Sequence, residues 1–316
     1  MESCIAIFLV PAIAVILDGL VGDPVSWPHP VRFIGKGLDL YEAAARRVRI
    51  NLRAAGWAAV CLFTTAAWGA VECLTAIPYV GWVFAVYFAY AGLALGCLLK
   101  DARRVAGLLD TGNIGEARHQ LSMLVSRDTE NLDAPALRRT LAETVSENLN
   151  DGFVAPLFYL ALFGPGGMWA YKTVSTMDSM WGYRNERYRD LGRGAARTDD
   201  FLAWIPARLT ARLMLFVGKR LGLDYAAAKA NHADDAARME SPNAGWPMAT
   251  AAWLVGGQMG GPAVYFGRPK QKPVLGPEGK EWDKKKLRVL IRLCDSTGTR
   301  AAWLLIPALG LVRWVF

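Results

Sequence analysis

Four places along the chain gather residues able to do chemistry. The first is Asp18-Gly-Leu-Val-Gly-Asp23-Pro24, running on to Pro28-His29-Pro30-Val31-Arg32. Prolines on either side fix the backbone of His29. A ring that titrates near neutrality with a guanidinium close behind suits an anionic ligand; a capped helix end followed by a loop accounts for the same residues. The second place is Arg127-Asp128-Thr129, followed by Glu143-Thr-Val-Ser-Glu147-Asn148-Leu-Asn150-Asp151-Gly152. On a helix Glu143, Glu147 and Asp151 stand i, i+4, i+8, a slowly drifting stripe of carboxylates with no Lys or Arg on it. Like charges at that spacing cost roughly a few tenths of a kcal/mol per pair. Mg²⁺ carried by a phosphate substrate would offset the repulsion, and a solvated acidic face is the alternative.

The third place is Thr176-Met177-Asp178-Ser179-Met180-Trp181-Gly182-Tyr183-Arg184-Asn185, with Arg187, Arg189, Arg193, Arg197 and Asp199-Asp200 after it and Arg208 and Arg212 beyond. Every basic residue from Arg184 to Arg197 is Arg, the side chain whose planar fork binds two oxygens of a phosphate or carboxylate at once. The fourth is Glu240-Ser241-Pro242-Asn243-Ala244-Gly245-Trp246-Pro247, where Pro and Gly dictate a turn and Asn243 offers both a donor and an acceptor. GxxxxGK[ST], nucleophile-elbow and HExxH signatures are absent from the sequence, so any ATP site is not of the Walker kind. The residues by themselves lead to a polar, acid- and Arg-lined site for anionic, phosphorylated ligands; they do not fix a reaction type.

The elements that must position these residues are membrane segments. Hydrophobic residues are 53% of the 316 and charged residues 20%, below the roughly 25% charge of a soluble domain. Residues 54–99 carry one charge, Glu72, and are long enough for two spans folded back as a hairpin. Trp82, Tyr87 and Tyr90 in it are interfacial anchors or packing residues. Residues 3–21 read as a retained first membrane segment, and residues 301–316 as a short terminal span with Arg313 free to snorkel. Residues 152–171 are uncharged but broken at Gly164-Pro165-Gly166-Gly167. Broken backbone at membrane depth survives only under protein or a wet cavity, so this segment is expected to dip and return. That keeps Asp178 on the same side of the membrane as the acidic stripe.

Polar connections at residues 24–53 and 100–151 hold six and seven Lys or Arg respectively. The positive-inside rule makes both cytoplasmic. Residues 100–151 read as a helical polar insert within a single membrane domain, and 267–279 as a loop. Lys and Arg number 36 against 28 Asp and Glu, but they lie between apolar runs and match no nucleic-acid signature, so no nucleic-acid partner is expected. The five cysteines include no CxxC pair and are odd in number, which argues against a disulfide scaffold or a zinc site.

Taken in order, the clusters resemble the adenosylcobinamide-phosphate synthase family, multi-pass membrane proteins of late cobalamin assembly. The matching stretches are GDP-x3-PHPVR, RDT, ETVSEN-x2-DG-x3-PLFY, TMDSMWGY with a downstream IPARLTA, and SPNAGWP-x-A, spread from about residue 18 to residue 267. Ser126 and Ser175 stand where that pattern commonly has Gly and Asn. The resemblance implies an all-α, polytopic protein of the inner cell membrane with broken or re-entrant segments and a helical cytoplasmic insert. It also implies a ligase joining a propionate of adenosylcobyric acid to (R)-1-aminopropan-2-ol O-phosphate, or the free amino alcohol, with ATP and Mg²⁺. The partners implied are those substrates, the lipid bilayer and other membrane-associated corrinoid enzymes. Carried over position by position, it marks His29, Arg32, Arg127, Asp128, Glu143, Glu147, Asn148, Asp151, Asp178, Ser179, Arg208 and Asn243. For the chemistry it implies, Asp128, Glu143, Glu147 and Asp151 are candidates for Mg²⁺, and Arg32, Arg127 and Arg208, with Arg197 added from the third cluster, for phosphates. Asn148, Ser179 and Asn243 are candidates for substrate, and Asp178 or His29 for the base, with Glu147 also in the catalytic set. Two other readings stay open: a transporter or binding protein for an anionic metabolite, and a non-catalytic membrane subunit of a biosynthetic complex.

Overall fold

The computed structural model describes residues 4–23, 27–183 and 185–315; Pro24 of the first cluster and Arg184 of the third lie outside them. In chain order the helices are α1 (Cys4–Val21), α2 (Pro30–Arg47), α3 (Leu52–Thr75), α4 (Gly81–Ala91), α5 (Leu95–Asp110), α6 (Ile114–Ser122), α7 (Ala134–Leu149), α8 (Ala155–Trp181), α9 (Arg193–Leu202), α10 (Trp204–Arg220), α11 (Tyr225–Ala237), α12 (Gly245–Val255) and α13 (Lys284–Val315). A π-helical turn, Asn150–Val154, leads into α8, and the strands β1 (Met259–Tyr265) and β2 (Arg268–Leu275) stand between α12 and α13. Several helices start where a side chain accepts the first orphan N–H groups: Asn51 for α3, Asn113 for α6, Asp133 for α7 and Asp224 for α11.

This is a helical membrane protein. Leu52–Thr75, Gly81–Asp110 and Ala134–Trp181 are long and apolar enough to cross a bilayer. Only 28% of the apolar window of Leu52–Thr75 is buried, against 78% of that of Ala134–Trp181. The first therefore turns its side chains outward, as lipid contact requires, while the broken backbone of the second is wrapped in protein.

Two compact units emerge. One comprises residues 1–94, 151–203 and 302–316, the other residues 95–150 and 204–301. In the first unit α8 breaks at Gly164, whose φ of 74° and ψ of −171° lie where only glycine is unstrained, and Pro165 follows. A Cβ on Gly164 would sit 2.6 Å from an Arg313 guanidinium nitrogen, and one on Gly166 would overlap the Glu72 carboxylate. The charges that the sequence leaves inside two apolar runs thus converge on the helix break. Arg313 turns inward to the Gly164 break instead of snorkelling. Below the break, Leu38, Ala45, Ala55, Ala59, Met177, Trp181, Leu191 and Ala195 form a buried core joining α2, α3, α8 and α9.

The second unit holds the helical insert, α5 to α7, together with α10 to α12 and the start of α13. It also holds a small two-stranded element, partly where the sequence reads residues 267–279 as a loop. Residues 259–275 form an antiparallel hairpin with Tyr265 opposite Arg268. Phe266 and Gly267 at its tip both have positive φ, 52° and 73°, the conformation a tight two-residue hairpin needs. Prolines hid this element from the sequence, yet in a two-stranded ribbon each strand has a free edge that tolerates Pro262, Pro269 and Pro273. Helix α13 begins at Lys284, so the terminal segment is the end of a longer helix and not a short span of its own.

Candidate functional site

The first unit contains His29, Arg32, Asp151, Asp178, Ser179 and Arg197; the second contains Arg127, Asp128, Glu143, Glu147, Asn148, Arg208 and Asn243.

His29 is the N-cap of α2. Its Nδ1 accepts from the Val31 N–H at 3.3 Å, and Nε2 lies 2.8 Å from the Ala91 carbonyl oxygen, to which it donates. Burial pushes its pKa below the usual 6.5, against an opposing pull from Asp23, whose carboxylate is 3.8 Å away. The ring is therefore neutral with both nitrogens engaged, and it has no lone pair left to take a substrate proton. Its part is to fix the loop, assisted by the Tyr87 hydroxyl donating to the Pro28 carbonyl at 2.6 Å and the Tyr90 hydroxyl donating to that of Gly22. Arg32 is exposed in the first turn of α2.

The Asp178 side chain folds over Gly182, where a Cβ would collide with its carboxylate. That contact gives the glycine of the TMDSMWGY run a physical reason. Ser179, the next residue, is exposed. Asp151 and Asp178 both act electrostatically on Asp199, although the three come from the π-turn, α8 and α9. π-turns of this kind are frequent at functional sites.

The arginines of the third cluster divide into two uses. Arg187 is spent on Glu42, donating from Nε at 2.9 Å, and Arg46 Nε reaches the same oxygen at 2.8 Å. Burial alone would raise the Glu42 pKa; the two guanidiniums overcome it and hold the carboxyl below its ordinary value. Arg193 and Arg197, by contrast, share a region of like charge with Arg53. Backbone contact of α3 with α9 at Gly56 and Gly194 brings these guanidiniums together.

In the second unit Arg127 donates to Glu143 and, at 3.1 Å, to the Thr140 hydroxyl, with its guanidinium carbon 5.9 Å from the centre of the Tyr265 ring. The other Glu143 oxygen accepts from the Gly260 N–H at 2.8 Å. Asp128 accepts from the N–H groups of Phe266 and Gly267 at 3.2 and 2.8 Å and so caps the hairpin tip. Both carboxylates already have their donors. Among the described residues no group of three or more His, Cys, Asp or Glu side chains is placed to hold a metal ion. Within the second unit the charge of Glu143, one of the carboxylates expected to hold Mg²⁺, is met by Arg127, which comes from another loop and not from the stripe.

Glu147 feels the charges of Lys272, Glu143 and Arg127. Asn148 turns its amide back to the carbonyl and hydroxyl oxygens of Thr144 at 2.9 and 3.0 Å. Arg208 and Asn243 do meet: Arg208 donates to Asn243 Oδ1 at 3.1 Å and to the Pro242 carbonyl at 3.3 Å, its guanidinium flanked by the rings of Trp204 and Trp246 at 4.3 and 4.8 Å.

The sequence reading missed Asp235, a buried carboxylate that accepts from Arg238, from Trp253 Nε1 at 2.7 Å and from the Gly276 N–H at 2.7 Å. It also missed a cavity of about 390 Å³ in the second unit lined by Asp133, Arg139, Gln258, Lys280, Glu281 and Trp282. Their spacing in the chain carried no signal of either.

Comparison with known proteins agrees with the motif order. The family described as "CobD/Cbib protein" matches residues 11–294. The chain is 42% identical over 276 residues to "Cobalamin biosynthesis protein CobD" of Photorhabdus laumondii, covering 85% of this chain and 86% of the relative. It is 40% identical over 312 residues to the protein of the same name from Pelobacter propionicus, covering 96% of each. It is 42% identical over 285 residues to that of Geobacter metallireducens, covering 89% and 90%. No solved structure matches the chain.

Proposed function

The chain belongs to the CobD/Cbib family of cobalamin biosynthesis, and from that premise we propose that it is an ATP-dependent amide synthase of the inner cell membrane. The reaction joins a propionate carboxylate of adenosylcobyric acid to the amine of (R)-1-aminopropan-2-ol O-phosphate, or of the free amino alcohol. The observation that carries this reading is that Asp151, from the ETVSEN-x2-DG run, and Asp178, from TMDSM, both bring their charge to bear on Asp199.

A carboxylate is a poor electrophile at neutral pH, so its oxygen first attacks the γ-phosphorus of ATP, giving an acyl phosphate and ADP. The amine lone pair then attacks the acyl carbon, the C–O bond to phosphate breaks, and inorganic phosphate leaves. An amine that arrives as an ammonium must lose two protons along the way, one to the leaving phosphate as the amide forms and, before attack, one to a base. With both His29 nitrogens engaged, that proton goes to the Asp151/Asp178/Asp199 carboxylates, and Asp178 is the base kept from the pair that the resemblance marked. The grouped guanidiniums of Arg53, Arg193 and Arg197 suit phosphate oxygens. Mg²⁺ would neutralise the nucleotide's charge, but Asp128 and Glu143 are satisfied by protein donors, so no step is assigned through protein-held metal.

Purified full-length protein given adenosylcobyric acid, ATP, Mg²⁺ and aminopropanol phosphate should yield one amide and one ADP per turnover, and Asp178→Asn should abolish product while leaving membrane insertion intact. No product from folded protein would end the synthase reading. The approach of Glu72 and Arg313 to a broken helix is what a transporter for an anionic metabolite would show. Substrate-dependent uptake into vesicles without amide formation would favour that second reading.

A further inference from the structure

Helix α9 presents two chemistries. Arg193 and Arg197 stand i, i+4 on one face, and Asp199, two residues on, projects about 200° away. Its Oδ1 is shut off from solvent and has no hydrogen-bond partner among the described residues. The charges of Asp151, Asp178 and Asp200 all bear on it. Tyr171, 1% exposed, brings a hydroxyl into the same field that likewise closes no hydrogen bond of normal geometry among the described residues. The Tyr171 ring is stacked on that of Tyr159, centroids 4.9 Å apart.

A buried carboxylate oxygen with no donor, set among like charges, is an expensive arrangement that a bound cation relieves. Without a ligand, a proton relieves it; a ligand that takes the proton's place brings positive charge and several N–H or O–H donors. A hard divalent metal requires oxygens drawn to about 2.0–2.1 Å around one centre, and no such group of side chains is gathered among the described residues. A primary ammonium carries one charge and three donors and bridges acceptors spaced further apart.

We propose that Asp199, together with Asp151, Asp178 and the Tyr171 hydroxyl, forms a binding site for a primary ammonium group. The inference deepens the synthase reading and rests on it: the ammonium is that of the amine substrate, and Asp199 is the side chain that holds it before its proton is removed.

The test compares two probes on the full-length detergent-solubilised protein, aminopropan-2-ol O-phosphate and its amine-free counterpart propane-1,2-diol phosphate. Wild-type protein should bind the amine at least about tenfold more tightly than the diol. Asp199→Asn should weaken amine binding by about 10- to 100-fold, the range for a lost hydrogen bond to a charged group, and leave the diol unchanged. Asp199→Glu, which restores the charge, should recover part of the preference. Equal binding of both probes by wild-type protein overturns the ammonium site while leaving the synthase reading standing, and so does a preference undiminished in Asp199→Asn. The wild-type comparison needs no variant to fold. Binding of neither probe overturns the substrate assignment itself and the ammonium site with it.

Discussion

Tyr159 and Tyr171 stack with ring centroids 4.9 Å apart and planes within 10° of parallel, although they are twelve positions apart along α8. In an unbroken helix that spacing would hold them about 18 Å apart along the axis. The stack is therefore a consequence of the sharp fold at Gly164. It joins the polar end of α8 to α9, because the Tyr159 hydroxyl also donates to the Leu202 carbonyl at 3.0 Å. A helix that crossed without breaking would carry Asp178 away from Asp151.

Gly164→Ala should be strongly destabilising. The new methyl forces a positive-φ backbone that L-residues avoid and collides with the Arg313 guanidinium at 2.6–2.8 Å. Strain in this backbone region costs about 1–3 kcal/mol before the clash is counted. Thermal unfolding of the detergent-solubilised variant should show a clear drop in midpoint, accompanied by lost amide formation. A variant as stable as the parent would mean the break is not rigid.

Glu143→Gln separates a structural role from a metal-binding one. Arg127 and Glu143 side chains are 8% and 2% exposed, so removing one charge strands the other in the interior at a cost of about 3–5 kcal/mol. Lowered stability that added Mg²⁺ does not restore is the expected result. A folded variant whose defect is only a raised Mg²⁺ requirement would return Glu143 to the metal set.

Glu42 gives the acid limb of stability a location. Its folded pKa is depressed by Arg187 and Arg46 in spite of burial. It therefore contributes stability that is complete above its unfolded value, about 4.3, and is lost as pH falls through the lower folded value. His29 works in the same direction at higher pH: with a folded pKa below 6.5, it costs stability once the unfolded ring begins to protonate beneath that value. Unfolding midpoints measured from pH 7 down to pH 3 should fall in both windows. Glu42→Gln should flatten the lower one, and an unchanged acid limb would count against the pairing.

Arg208→Lys tests whether the contact between the fourth cluster and α10 depends on a planar cation. Lysine keeps the charge but loses the stacking between Trp204 and Trp246 and the paired donation to Asn243 and Pro242. A loss of about 1–2 kcal/mol is expected, read as a shift in the denaturation midpoint. No shift would show that charge alone suffices.

Much of the architecture could be read along the chain. Long apolar runs determined the membrane class, the Gly164-Pro165 break determined the folded-back segment, and the motif order determined the family. These are local properties, set by hydropathy over a helix length and by which backbone angles glycine and proline allow. The hairpin at residues 259–275 was hidden because strand pairing in a proline-rich ribbon depends on a partner strand and not on the residues' own preferences.

Partner choice was decided by the tertiary structure. The spacing of Glu143 and Glu147 put them on one helix face, but that a guanidinium from the Arg127 loop meets one of them is a fact about packing. The two nitrogens of His29 looked available until Ala91 and Val31 were placed beside them. Asp199 carried no more signal than its neighbour Asp200, and only the approach of α9 to α8 sealed one of its oxygens from water. Periodicity reports which way a side chain points; the energy of a buried charge depends on what else has been brought to the same place, and that is known only once the chain has folded.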